Sequence, residues 1–219
     1  TPELLITILA TWRIGAIYQP LFTAFEAKSI DHRITTAQTK LIVTNDEQRP
    51  KLNTLNVPVI VTVHQTGLLS EHDFDFWQSL QRYSEQCEPV NRSFDDDFLM
   101  MFTSGTTGLA KSVPVPLKAI LAFKGYMTHA VDLREEDMFW NLADPGWAYG
   151  LYYGITGPLS LGHSIIMDER SFNVDQAIEL IKKYKVSNLT GSPTAFRMFF
   201  GFKEKFDPSI KQHLRVVSS

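Results

Sequence analysis

Residues 103 to 111 read Thr-Ser-Gly-Thr-Thr-Gly-Leu-Ala-Lys. Thr103, Ser104, Thr106 and Thr107 supply hydroxyl donors, Gly105 and Gly108 let the backbone turn tightly and approach a ligand, and Lys111 adds a compact positive charge. Many donors beside one cation suit the oxygens and the charge of a polyphosphate. The apolar run from Phe98 to Phe102 reads as a buried strand feeding this loop. Two other readings compete. A Ser/Thr/Gly turn between two strands has the same composition. An ATPase phosphate loop, G-x-x-x-x-G-K-[ST], nearly fits Gly105 to Ser112, but Ala110 occupies its second glycine. That loop also opens directly into a helix, whereas Val113-Pro114-Val115-Pro116 favours extended backbone.

Two further segments could line a site. In residues 138 to 162, MFWNLADPGWAYGLYYGITGPLSLG, Met138 to Ala143 reads as a strand and Asp144-Pro145-Gly146 as a turn. Trp147, Ala148, Tyr149 and Tyr152 have the character of a ligand-pocket wall, and equally of ordinary core aromatics. Thr190-Gly191-Ser192-Pro193-Thr194-Ala195, followed by Arg197, reads as a strand-to-helix turn. Ser192 would cap the helix and Pro193 would fill its first turn, a role that needs no ligand.

Taken in this order, the segments resemble the adenylate-forming superfamily of acyl-CoA synthetases, luciferases and peptide-synthetase adenylation domains. Thr103 to Gly108 and Lys111 match its pattern T-S-G-[ST]-T-G-x-P-K-G, with Ala110 in place of the proline and Ser112 in place of the last glycine. Trp140, Asp144, Gly146 and Trp147 are similar to the Asp-x-Gly-Trp turn of acetyl-CoA and medium-chain acyl-CoA synthetases. Luciferases and peptide-synthetase domains carry a histidine-bearing turn there instead. Residues 192 to 197 are similar to the family's A-P-T-A-x-R turn.

The resemblance implies a carboxylate–CoA ligase. A short- or medium-chain acid would be activated with ATP to acyl-AMP, and the acyl group passed to CoA, with Mg²⁺ at the phosphates. Thr103, Ser104, Gly105, Thr106, Thr107, Gly108 and Lys111 would hold the nucleotide, Lys111 acting in catalysis. Trp147, Ala148, Tyr149, Gly191, Ser192 and Pro193 would contact substrate. Alternatives are an aromatic-acid CoA ligase, an adenylating enzyme that loads a carrier protein, and a non-catalytic nucleotide-binding module. The family continues with a Y-G-x-T-E motif, a ribose-binding aspartate and a mobile C-terminal domain with a catalytic lysine. None is present here, which implies a fragment of the N-terminal region whose second lobe is unfinished.

Elements must position these residues. An opening helix is expected over Leu4 to Trp12 with Gly15 ending it, then a strand at Ala16 to Leu21, a helix at Lys28 to Ala37, strands at Lys40 to Thr44 and Val57 to Val63, and a helix at Asp73 to Tyr83. Leu117 to Ala130 should be helical, strands recur near Met138, Ser164, Ser187 and Leu214, and helices near Leu151 and Asn173. The alternation predicts an α/β fold with mostly parallel sheets flanked by helices. The charged stretch Asp132 to Asp137 is the best internal boundary, and the resemblance implies that it separates lobes 1–131 and 132–219.

At 219 residues and 44% hydrophobic, the chain can bury a substantial core. With 21 basic and 24 acidic residues interleaved, it has no basic stripe for nucleic acid. Leu4 to Trp12 is too short to span a bilayer. The lone cysteine, Cys87, permits no internal disulfide and suits a reducing compartment, so a cytoplasmic location is expected. The scattered histidines form no H-x-x-x-H pair, and no protein metal ligand is assigned.

Overall fold

A computed structural model describes residues 1–57, 59–63, 73–103, 109–205 and 208–219. By compactness the chain divides into Pro2–Leu117 and Lys118–Ser219.

The first unit opens with α1 (Pro2–Arg13) and α2 (Ala27–Ala37), then β1 (Leu41–Asn45), β2 (Val59–Val63), β3 (Asp73–Asp75) and the short α3 (Phe76–Leu80). Strands β1, β2 and β3 form a parallel sheet in that order. Ile30 and Ile34, one turn apart on α2, pack with Ile42, Leu52 and Ile60 as its core. The helix expected from Asp73 is shorter, because Asp73–Asp75 first pairs with β2 and Asp75 then caps α3 by accepting the Gln78 N–H at 2.7 Å. The strand expected at Ala16 to Leu21 reduces to a parallel bridge, with Tyr18 set between the Phe98 carbonyl and the Met100 N–H.

The unit ends in a hairpin of β4 (Asp97–Thr103) and β5 (Lys111–Pro116). This pair is antiparallel, unlike the other two sheets. Pro114 and Pro116 are tolerated because, among the described residues, β4 is the one strand paired with β5, so a missing N–H on the other side of β5 breaks no ladder.

The second unit begins with α4 (Ala119–His129). Its Met127 packs with Val131, Leu133 and Phe139, and its Phe123 stacks on Tyr152 at 4.4 Å. Next come β6 (Phe139–Asn141), α5 (Ala148–Leu151), a π-helical stretch (Tyr152–Thr156) and α6 (Gly157–Ser160). Then follow α7 (Val174–Tyr184), β7 (Asn188–Thr190), α8 (Pro193–Phe200), α9 (Pro208–His213) and β8 (Val216–Ser218). Asn173 caps α7 by accepting from the Asp175 and Gln176 N–H groups, and Val174, Ala177, Ile178 and Ile181 form its buried stripe. The strand expected near Ser164 is a single bridge from Ile165 to Phe139.

Strands β6, β7 and β8 are parallel and adjacent in that order. Their N-terminal end is fastened by charge. Asp137 accepts from Ser187 Oγ at 2.6 Å and from the Arg215 guanidinium, whose Nη1 also bonds Asp132 at 2.5 Å. The residues just before β6, β7 and β8 are thereby joined. Asp132 to Asp137, expected as the boundary between lobes, is partly interior, and the Asp137 side chain is 1% exposed. Burial alone would raise the Asp137 pKa. The hydrogen bonds from Arg215, Ser187, the Arg134 N–H and Asn188 outweigh it and hold the value at about 2.

Candidate active site

The first group of candidate residues stands at the hairpin. Thr103 ends β4, Lys111 begins β5, and the two are direct cross-strand partners. Both are exposed. Directly opposed residues project to the same face of a sheet, so this hydroxyl and this ammonium group share one face at the hairpin's mouth. Phe102 and Ser112, the next pair inward, project to the other face. Ser104, Gly105, Thr106, Thr107 and Gly108 lie outside the described residues. The segment after the loop is strand β5, not a helix, which excludes the ATPase phosphate-loop reading.

The second group lies at the C-terminal end of the β6–β7–β8 sheet. Past β6, Asp144 Oδ1 accepts the Gly146 N–H at 2.6 Å and the Asp144 carbonyl accepts the Trp147 N–H at 3.1 Å. This tight turn leads into α5. Trp147 precedes α5 in extended conformation and is 48% exposed, while Ala148 and Tyr149 begin the helix half-buried. Gly150 lies against the turn, where a Cβ would stand 2.2 Å from the Asp144 carbonyl oxygen. Glycine is required by that close approach.

Tyr149 is the best-anchored member of this group. Its hydroxyl lies 3.1 Å from Thr190 Oγ1, at the last residue of β7, and Thr190 Oγ1 lies 2.8 Å from Ser218 Oγ, at the last residue of β8. Tyr126 from α4 lies nearby, and burial, with the neighbouring Tyr149 hydroxyl, raises the Tyr126 pKa. Tyr153 packs between them, stacked on Tyr126 at 4.0 Å and edge-on to Tyr149 at 5.4 Å. Gly191 follows Thr190 and sits against Leu142, to which a Cβ would come within 3.1 Å. Ser192 caps α8 by accepting the Ala195 N–H at 3.2 Å, and Pro193 opens the helix, as expected.

Tyr149, Thr190, Gly191, Ser192 and Ser218 thus gather where three parallel strands end and α8 begins. Ligands of open parallel sheets bind outside the carboxyl ends of the strands, and a helix N-terminus favours an anion there. Tyr126, Tyr153 and Ser218 were not legible from the sequence. Their pairing depends on the packing of α4 and on the alignment of β8, neither of which leaves a local motif.

The model of the AMP-binding enzyme family matches residues 1–219. The chain belongs to the AMP-binding enzyme family. Among relatives in that family, the acetyl-coenzyme A synthetase of Methanothrix thermoacetophila is 33% identical over 100% of this chain and 37% of its own length. That of Xanthomonas oryzae pv. oryzae is 34% identical over 98% of this chain and 37% of its own. In three dimensions the chain is similar to an acyl-CoA synthetase of Brucella canis, with a TM-score of 0.92 and 48% identity, covering 100% of this chain and 40% of that one. It therefore spans about two fifths of the length of these AMP-binding relatives.

Proposed function

We propose that the protein carrying this chain is an AMP-forming carboxylate–CoA ligase acting on a short- or medium-chain acid. The carboxylate oxygen attacks the α-phosphorus of ATP and pyrophosphate leaves. The CoA thiolate then attacks the acyl carbonyl of the adenylate, forming a thioester, and AMP leaves. The nucleophiles belong to the substrates, so the protein must orient anions and stabilise charge developing on phosphate.

The observation that carries this reading is the Thr103–Lys111 pair at the hairpin's mouth, in a chain of the AMP-binding family. Lys111 would neutralise charge on the β- and γ-phosphates, with Thr103 and residues 104–108 donating to their oxygens. Trp147, Ala148, Tyr149, Gly191, Ser192 and Pro193 would receive the acid, where the ring of Tyr149 supplies apolar surface beside the small Ala148. The Mg²⁺ that accompanies ATP would neutralise the remaining charge on the phosphates. Among the described residues no helix is long and apolar enough to cross a membrane, and the exposed Cys87 suits the proposed cytoplasmic location.

The test uses the intact gene product with ATP, Mg²⁺, CoA and acids from acetate to octanoate plus benzoate, measuring AMP and thioester together. Equal yields of both with aliphatic acids are expected. Reaction with benzoate-like acids alone would overturn the acid class. Acyl-adenylate made without thioester would move the protein to the carrier-loading enzymes.

A further inference from the structure

We infer that His32 is a positioning residue for the Thr103–Lys111 phosphate site, clamping the stem of the hairpin from α2. The inference rests on the nucleotide-binding reading above. His32 Nε2 donates to the carbonyl oxygen of Ala110 at 2.7 Å. Ala110 is the residue immediately before Lys111, so this bond fixes the peptide plane from which the Lys111 backbone departs.

The opposite arm is held by the same helix. The His32 ring lies edge-on to Phe102 with centroids 6.4 Å apart, and the Arg33 guanidinium sits 5.6 Å above the Phe102 ring and 4.0 Å above that of Phe25. Arg33 Nη1 is itself fixed by the Ser29 carbonyl at 2.9 Å. Phe102 immediately precedes Thr103. One turn of α2 therefore grips the residue before each member of the Thr103–Lys111 pair.

The direction of the grip matters. Phe102 and Thr103 point to opposite faces of β4, so α2 braces the face that Thr103 and Lys111 do not use. Those two side chains are left exposed for an anion while their backbones are tied from behind. Neighbouring Ile30 and Ile34 are buried in the β1–β2 core, which makes α2 a rigid support. A charge contact on phosphate is effective only if its geometry is set beforehand, because reorganisation during reaction subtracts from it.

The requirement is a single N–H aimed at a carbonyl, so a side chain that supplies it should substitute for His32. In the intact gene product, ATP–pyrophosphate exchange is measured for His32→Leu and His32→Gln across ATP and carboxylate concentrations. For His32→Leu, kcat/KM for ATP is expected to fall roughly 2- to 10-fold, the range for loss of one hydrogen bond. The carboxylate KM should stay constant. His32→Gln should recover most of the loss, since its amide reaches as far as Nε2. Wild-type ATP kinetics in His32→Leu would overturn the inference and leave the nucleotide site standing. Equal impairment toward both substrates without rescue by glutamine would also overturn it, showing only a general fault in α2. Absence of carboxylate-dependent exchange in the unaltered protein would overturn the functional reading itself, and this inference with it.

Discussion

Replacing Gly150 by alanine and Gly125 by alanine should move stability in opposite directions. Both glycines are helical, one in α5 and one in α4. At Gly150 a Cβ would lie 2.2 Å from the Asp144 oxygen, 2.5 Å from its carbonyl carbon and 2.7 Å from the Ala143 oxygen. The first contact is about 1 Å inside ordinary van der Waals distance, and every obstacle is backbone. No rotamer change relieves it, so the turn itself must move. Overpacking costs about 1–3 kcal/mol where side chains can yield, and a backbone obstacle puts Gly150→Ala at about 3 kcal/mol or more. At Gly125 a Cβ meets nothing within 4 Å. There alanine should stabilise by about 0.5–1 kcal/mol through lower unfolded-state entropy and better helix propensity. Urea unfolding of the intact gene product, followed by tryptophan fluorescence, should separate the two midpoints on either side of wild type. Gly150→Ala at or above the wild-type midpoint would refute the close approach of the Asp144 turn to α5. Such a result would remove the turn's role in fixing Tyr149.

Lys111→Ala should slow adenylation by about 2–4 kcal/mol of transition-state stabilisation, read as kcat/KM in pyrophosphate exchange, and an unchanged rate would remove Lys111 from the phosphate site. Tyr149→Phe and Thr190→Val each delete one hydroxyl from the chain that ends at Ser218, and should alter the relative kcat/KM among acids without changing the KM for ATP; an unaltered acid profile in both would take Tyr149 out of the acid site. The folded pKa of Asp137, about 2, lies below the ordinary aspartate value of 3.8. Its stabilisation is therefore complete above about pH 4 and lost as pH falls toward 2. After discount for solvent screening this amounts to roughly 1–2 kcal/mol, and Asp137→Asn should flatten the stability profile across that window in acid-titrated urea unfolding. Arg49 grips Asp73 through two bonds, at 2.5 and 2.9 Å, with both side chains buried. Arg49→Met leaves that carboxylate without its guanidinium and should cost about 3–5 kcal/mol in the same assay.

Local patterns carried far in this chain. The buried stripe of α7 and its Asn173 cap, the Ser192 cap with Pro193, and the β-branched run of β2 are each decided by neighbours within one turn or one strand, and each forms as expected. The sequence also places the Ser/Thr/Gly loop correctly between strands. It does not reveal that β4 and β5 run antiparallel, because periodicity reports which face is buried and not the partner's direction. Nor does local sequence show that Arg215, 78 residues beyond Asp137, returns to pair with the charged run Asp132 to Asp137. The same distance effect hides the Tyr149–Thr190–Ser218 chain, whose members come from α5, β7 and β8. His32 carries no motif either, since its role depends on how α2 lies against the hairpin.

Carboxylate-dependent exchange of labelled pyrophosphate into ATP, by the intact gene product and without CoA, tests the central claim most directly. It isolates the first half-reaction, which the residues at 103–111 would serve. Exchange that requires one class of aliphatic acid, and that falls sharply in Lys111→Ala, is the result predicted. A folded protein that binds ATP but gives no exchange with any acid would contradict the ligase reading and leave residues 103–111 as a nucleotide-binding loop without acid chemistry.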